Sequence, residues 1–308
     1  MAVVEVIAPH EVALGADEGL PVRRTLPTRA RSLIGAWCFL DHYGPVSGIH
    51  SAGMSVRAHP HTGLQTVSWL FSGSIEHRDS AGTVAAVLPG ELNLMTAGRG
   101  ISHSEMSEPG GSPLHGVQMW VALPDAHRWT EPGFDHYEPP VVQREGVQAR
   151  VFLGSVLDST SPVMTYTPLL GAELLLNAGS TIALDVNPMH EHGVLLDAGA
   201  VSIEGFDVDV QHLAFVQSGT STIVLHADVD SRVLLIGGQP LGEPIVMWWN
   251  FIGRTHEEIV EFQRQWNDEN QSHSTDPADH PVFGWPNGEA QEPIMAPELP
   301  PVRLVSRT

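Results

Sequence analysis

Two short stretches carry the side chains best suited to chemistry, HPHTG at 59–63 and AGRGISHSEM at 97–106. Each places two ligand-type residues two positions apart. In an extended strand, residues i and i+2 share a face about 6.6 to 7 Å apart, so His59 and His61 point the same way, as do His103 and Glu105. Pro60 between the first pair suits a strand start or edge. Three neutral imidazoles and one carboxylate suit a divalent transition ion, and Fe(II), Mn, Co, Ni, Cu and Zn all accept such donors. A six-coordinate ion keeps two positions open, whereas a closed tetrahedral zinc site keeps none, which puts iron first.

The elements that must position these residues are short strands. Glycine (30) and proline (24) recur every eight to twelve residues between runs rich in Val, Ile, Leu, Thr and Trp, the pattern of an all-β sandwich or barrel. Strand candidates are 66–73, 83–89, 91–98, 114–124 and 148–156, then a second set at 167–179, 180–186, 193–205, 212–219, 220–228 and 231–238. Gly73 and Gly199 each end a strand before a Ser-Ile-Glu stretch, and Gly98 aligns with Gly219, so the chain reads as an internal duplication divided near 135–146. One segment, 253–270, reads as helix, with Thr255 as N-cap and Ile259, Phe262 and Trp266 at helical spacing. The proline-rich remainder, with Phe283, Trp285 and Ile294, reads as an extended arm lying on the body.

Composition excludes several functions. At 308 residues with 42% hydrophobic content, the chain is long enough for two cores. Acidic residues outnumber basic ones 36 to 15, a formal charge of −21, which argues against direct nucleic-acid binding. Every basic residue is arginine, so no Schiff-base or phosphate-loop lysine exists. The single cysteine, Cys38, forms no intramolecular disulfide, and no membrane span or signal peptide is legible, which fits a reducing cytoplasm. GISHS lacks the spacing of a serine-hydrolase elbow, and GRGISH lacks the third glycine of a dinucleotide fingerprint.

Other candidates read as structural. MHEHG supplies a second His-x-His, His190 and His192, but in the Gly73 to Gly199 register it lies five residues off the first pair, and in the Gly98 to Gly219 register Glu105 corresponds to His226. These three read as surface or core histidines. His77, His115 and His127 read as structural or solvated, and His42 as a packing or hydrogen-bonding residue. Arg57 reads as an exposed strand-end residue. Trp69, Phe71, Met95, Met119 and Trp120 read as barrel interior, with some available to wall a pocket for an aromatic ligand.

The stretches HPHTGLQTVSWLFSGSIEHRDSAG, LPGELNLMTAGRGISHSEM, LHGVQMWVALP and LLIGGQPLGEPIVMWWNFIGRTHEEI, with WCFLDHYGP upstream, resemble the pirin family, a bicupin branch of the cupin superfamily. The resemblance runs from about residue 20 to 265. It implies two tandem cupin barrels: 1–140 with a metal site, 141–252 without one, then 253–308 as helix and arm. It implies one metal, usually iron, held by His59, His61, His103 and Glu105. It further implies either quercetin 2,3-dioxygenase-type oxidation of a small aromatic or polyhydroxylated substrate with dioxygen, or a metal- and redox-sensing regulator that binds a protein partner without turnover.

One departure stands out. Gln65 occupies a position where pirins carry glutamate, and an amide cannot act as a base. The sequence therefore casts Gln65 as an orienting group just outside the ligand shell and predicts that Gln65→Glu raises flavonol turnover.

Overall fold

The computed structural model describes residues 4–14, 20–45, 54–107, 111–272 and 274–308. After β1 (Val4–Ile7), one barrel is built from β2 (His10–Leu14), β3 (Leu20–Leu26), β4 (Trp37–Tyr43), β5 (Ser55–His61), β6 (Leu64–Ser72), β7 (Ile75–Asp79), β8 (Val84–Val87), β9 (Leu92–Thr96), β10 (Ile101–Ser107), β11 (His115–Ala122) and β12 (Gly133–Tyr137). The second contains β13 (Val141–Arg144), β14 (Val147–Leu153), the small ribbon β15 (Ser155–Val156) and β16 (Ser159–Thr160), then β17 (Leu169–Leu176), β18 (Thr181–Asp185), β19 (Glu191–Ala198), β20 (Val201–Ile203), β21 (Phe206–Val208), β22 (Leu213–Val216), β23 (Thr222–Ala227) and β24 (Ser231–Gly238). The hairpin β25 (Val246–Trp248) and β26 (Phe251–Gly253) leads into α1 (His256–Glu269).

Each barrel has a seven-stranded and a four-stranded sheet, and the two orders match strand for strand. The large sheets run β12-β9-β6-β11-β4-β3-β2 and β1-β22-β19-β24-β17-β14-β13; the small ones run β5-β10-β7-β8 and β18-β23-β20-β21. The duplication read from Gly73 and Gly199 is real, since both glycines take positive φ in the equivalent β6-β7 and β19-β20 turns. The match also exposes a crossover. The place that β12 fills in the first barrel is filled in the second by β1, which pairs with β22 through Val4↔Val216. The first described strand thus belongs to the barrel that is completed second.

The equivalence explains why, among the described residues, the small sheet of the first barrel points donors inward and that of the second does not. Along the small sheet of the second barrel, the inward positions are Ile182, Leu184, Ile203, Ile223 and Leu225, all buried in one aliphatic core. The corresponding sheet of the first barrel carries His59, His61, His103, Glu105, His77 and Asp79, also buried. A filled aliphatic interior leaves no room for an ion and offers it no donor.

The barrels share a core in which Trp69 stacks on Phe152 with ring centroids 4.4 Å apart. Trp37 reaches across to donate its indole N–H to the Gly237 carbonyl at 2.9 Å. The helix forms as its sequence dictates: the Thr255 hydroxyl accepts from the Glu258 amide, and Ile259, Phe262 and Trp266 are the buried face. The arm beyond it is extended and lies on the first barrel, where the Ser102 amide donates to Phe283 O and the Ile294 amide to Ala58 O.

Candidate metal centre

β5 and β10 are antiparallel neighbours with His59 opposite His103 and His61 opposite Ile101. Alternation therefore sends His59, His61 and His103 into one space. Their ring centroids lie 4.3 to 5.0 Å apart, and His61 Nε2 is 3.0 Å from His103 Nε2. One donor atom from each of the three falls within 4.8 Å of the others. A register shift between His103 and Glu105 places Glu105 opposite Val56. The Glu105 carboxylate joins the same wall, grouped with His103 and His77. The Ser68 hydroxyl sits between it and Gln118, 3.3 Å from Glu105 Oε1 and 2.8 Å from Gln118 Oε1.

Two glycines fix the turns that bring these strands together. Gly63, just after the first pair, has φ +67°, and a Cβ there would lie 2.4 Å from Ile252 O. Gly98, before β10, has φ +53°, and a Cβ would meet Thr130 O at 2.0 Å. The Gly63 amide donates to Gly98 O at 2.8 Å, tying one turn to the other. Neither position tolerates a side chain.

Electrostatics prepare the imidazoles as ligands. Burial lowers His59 to about 4, and burial with the neighbouring rings holds His61 and His103 well below the usual histidine value. All three are neutral at neutral pH, as a metal donor must be. Burial raises Glu105 above the ordinary carboxylate value, a cost that a cation beside it would offset. The tautomers are set as well. His59 Nδ1 lies 2.9 Å from Arg57 O and His61 Nδ1 3.1 Å from Asn250 O, so each Nδ1–H donates to a carbonyl and each Nε2 carries the lone pair. This donor set fits a divalent transition ion.

The site opens into a cavity of about 620 Å³. Phe39, Trp120, Trp248 and Trp249 supply aromatic wall, Arg24 a cation, and Ile294 of the arm part of the covering. Trp120 stacks on Phe39 at 4.1 Å and meets His61 edge-on at 5.1 Å. Of the expected aromatic and Met residues, only Trp120 reaches this cavity. Trp69 is in the core between the barrels, Met95 and Met119 are buried in core clusters, and Phe71 packs on His115.

Several candidates lie elsewhere. Gln65 is buried, donates to Thr96 Oγ1 at 2.9 Å and does not line the cavity. Along β6 it shares parity with Val67 and Trp69, which face the core between the barrels, while Ser68 takes the site-facing position. Arg57 donates to Glu292 O and helps hold the arm. His190 and His192 have rings 6.1 Å apart, and His226 bonds to Thr181. No three-donor group among the described residues includes any of them. Cys38 is buried and its thiol is pushed up to about 12 by burial, which makes it inert.

Sequence reading missed two clusters. His77 is not a bystander: its Nδ1 lies 3.4 Å from His103 Nδ1. His42 and His115 converge on Asp197 of the other barrel at 2.8 and 2.6 Å. The only available signal for the first was the period-two spacing of His77 and Asp79 on a strand. Nothing in sequence joins residues 42, 115 and 197.

Two stacked cupin barrels with a three-histidine candidate metal centre in the first define a bicupin. The Pirin family model matches residues 19–121 and the Pirin C-terminal cupin domain model residues 171–271, and the chain belongs to the pirin family. A Pseudomonas aeruginosa protein named "Putative quercetin 2,3-dioxygenase PA1205" is 42% identical over 251 residues, covering 81% of this chain and 80% of that one. Human pirin is 35% identical over 212 residues, covering 65% and 72%. A crystal structure of quercetin 2,3-dioxygenase from Acinetobacter baumannii superimposes with a TM-score of 0.88 at 36% identity, covering 98% of this chain and 97% of that one.

Proposed function

We propose that this pirin holds one divalent metal, with iron preferred, on His59, His61, His103 and Glu105, and acts as a dioxygenase of the quercetin 2,3-dioxygenase type on flavonol-like substrates. The observation that carries the reading is the convergence of three neutral imidazoles, with a buried carboxylate alongside, on the wall of an aromatic-lined cavity. The names borne by the Pseudomonas and Acinetobacter proteins support it.

When bound, the ion supplies Lewis acidity toward vicinal oxygens and one-electron chemistry with dioxygen. The protein does the rest. A planar ring system packs against Phe39, Trp120 and Trp248, which exclude water from the reacting face. Arg24 is itself held bidentate by Asp41 at 2.7 Å through both bonds, so it presents a fixed cation toward an oxygen-rich substrate. Ser68 and Gln118 orient Glu105, the carboxylate available in the cavity.

The test is metal analysis of the purified chain followed by quercetin absorbance and oxygen uptake. Metal-dependent loss of the flavonol, abolished in His61→Ala, supports the enzyme. A fully loaded protein that leaves quercetin and oxygen unchanged overturns it and favours the regulator reading, in which a partner protein is bound according to the metal's oxidation state.

A further inference from the structure

β7 runs beside β10 on the side away from β5, with Asp79 opposite His103 and His77 opposite Glu105. The three side chains form a line. His103 Nδ1 is 3.4 Å from His77 Nδ1, and His77 Nε2 is 3.2 Å from Asp79 Oδ2. Asp79 Oδ1 accepts the Thr83 backbone N–H at 2.9 Å. His77 and Asp79 are 3% and 0% exposed, and the His77 ring packs against Phe134 with centroids 4.8 Å apart. Water therefore does not compete for these bonds.

If His103 offers its Nε2 lone pair to an ion, every proton in the line is fixed. Its Nδ1 carries hydrogen and donates to His77 Nδ1, which must then be a bare acceptor. His77 accordingly carries its hydrogen on Nε2 and donates it to the Asp79 carboxylate. The three imidazoles are thereby unequal: His59 and His61 donate to neutral carbonyls of Arg57 and Asn250, and His103 alone leads to a buried negative charge. A ligand whose N–H is polarised toward a carboxylate is a stronger electron donor.

We propose that His77 and Asp79 are positioning residues that lock the His103 tautomer and polarise its Nδ1–H toward the Asp79 carboxylate, and that this relay sets metal affinity and favours the higher oxidation state. The inference rests on the metal centre proposed above. The test uses the full chain stripped of metal, titrated anaerobically with Fe(II), with stoichiometry and the Fe(III)/Fe(II) potential also measured. His77→Gln keeps an acceptor for His103 but cuts the path to Asp79; Asp79→Asn keeps the shape and removes the charge.

Each variant is expected to weaken Fe(II) binding by about 10- to 100-fold. Fe(III) should be weakened at least tenfold more, a rise in potential of at least about 59 mV. His77→Phe, which removes the acceptor altogether, should weaken binding further. Variants that shift the melting temperature yet keep wild-type affinity and potential overturn the relay while leaving the metal centre standing. Two ions per wild-type chain overturn it too, because His77 would then be a ligand. A wild-type chain that binds no ion overturns the metal centre and the relay together.

Discussion

At the scale of single residues, the ligand strand carries its meaning in alternation. His59 and His61 face one way because a strand's side chains repeat every two residues, and that much needs no structure. The same rule, applied across the turn at Gly63, reverses an expectation. Gln65 follows His61 by four positions, but β6 restarts the alternation and turns residue 65 toward Thr96, with Ser68 facing Glu105. Gln65→Glu is therefore expected to leave flavonol turnover unchanged. It should lower stability by about 1 to 3 kcal/mol, since a buried carboxylate there replaces an amide that donates to Thr96. Paired turnover assays and denaturant unfolding check both halves. Gly63→Ala is expected to cost at least about 2 kcal/mol, because a positive φ and a backbone contact both oppose a side chain. Its metal affinity should fall with it, as measured by calorimetric titration.

At the scale of elements, the β18-β23-β20-β21 sheet shows what the same sheet does without inward donors. Aliphatic residues fill the equivalent positions, so the His-x-His at 190 and 192 is a different feature, sited where β19 begins. His192 is fully buried, and among the described residues its ring nitrogens have no hydrogen-bond partner. Burial and the His190 ring lower it to about 4. The unfolded chain, with an ordinary histidine value near 6.5, binds that proton more readily than the fold does. Stability therefore falls as pH drops from about 6.5 to about 4. His192→Leu is expected to shrink the loss between pH 7.5 and pH 5 by about 1 to 2 kcal/mol, read from urea midpoints at the two pH values.

At the scale of the whole molecule, the barrels are joined by more than their shared aromatic core. Asp197 of β19 is fully buried and receives His42 and His115 from the first barrel and Arg232 from its own. Burial opposes its charge, yet the hydrogen bonds from His115 and His42 hold its carboxyl well below the usual carboxylate range. Its contribution is complete above the unfolded value near 3.9 and is lost as pH falls through the folded value. Removing one partner of such a buried group leaves the others uncompensated, so Asp197→Ala is expected to cost about 3 to 5 kcal/mol at pH 7. Calorimetry should also show whether the barrels then unfold separately; a single transition at the wild-type temperature contradicts the assignment of Asp197 as a clamp.

The sequence by itself determined the all-β class, the duplication, the single helix with its Thr255 cap, and the four candidate ligands. All of these rest on local periodicity: two residues per strand repeat, 3.6 per helical turn, glycine at turns of positive φ. Tertiary structure alone decided which residues meet across the strands. It brought His77 and Asp79 behind His103, placed Asn250 against His61, joined Asp197 to His42 and His115, and sent β1 into the far barrel. Those contacts link positions from tens to more than two hundred residues apart. Strand pairing and barrel closure create them, and no local pattern in the chain encodes which strand will be whose neighbour.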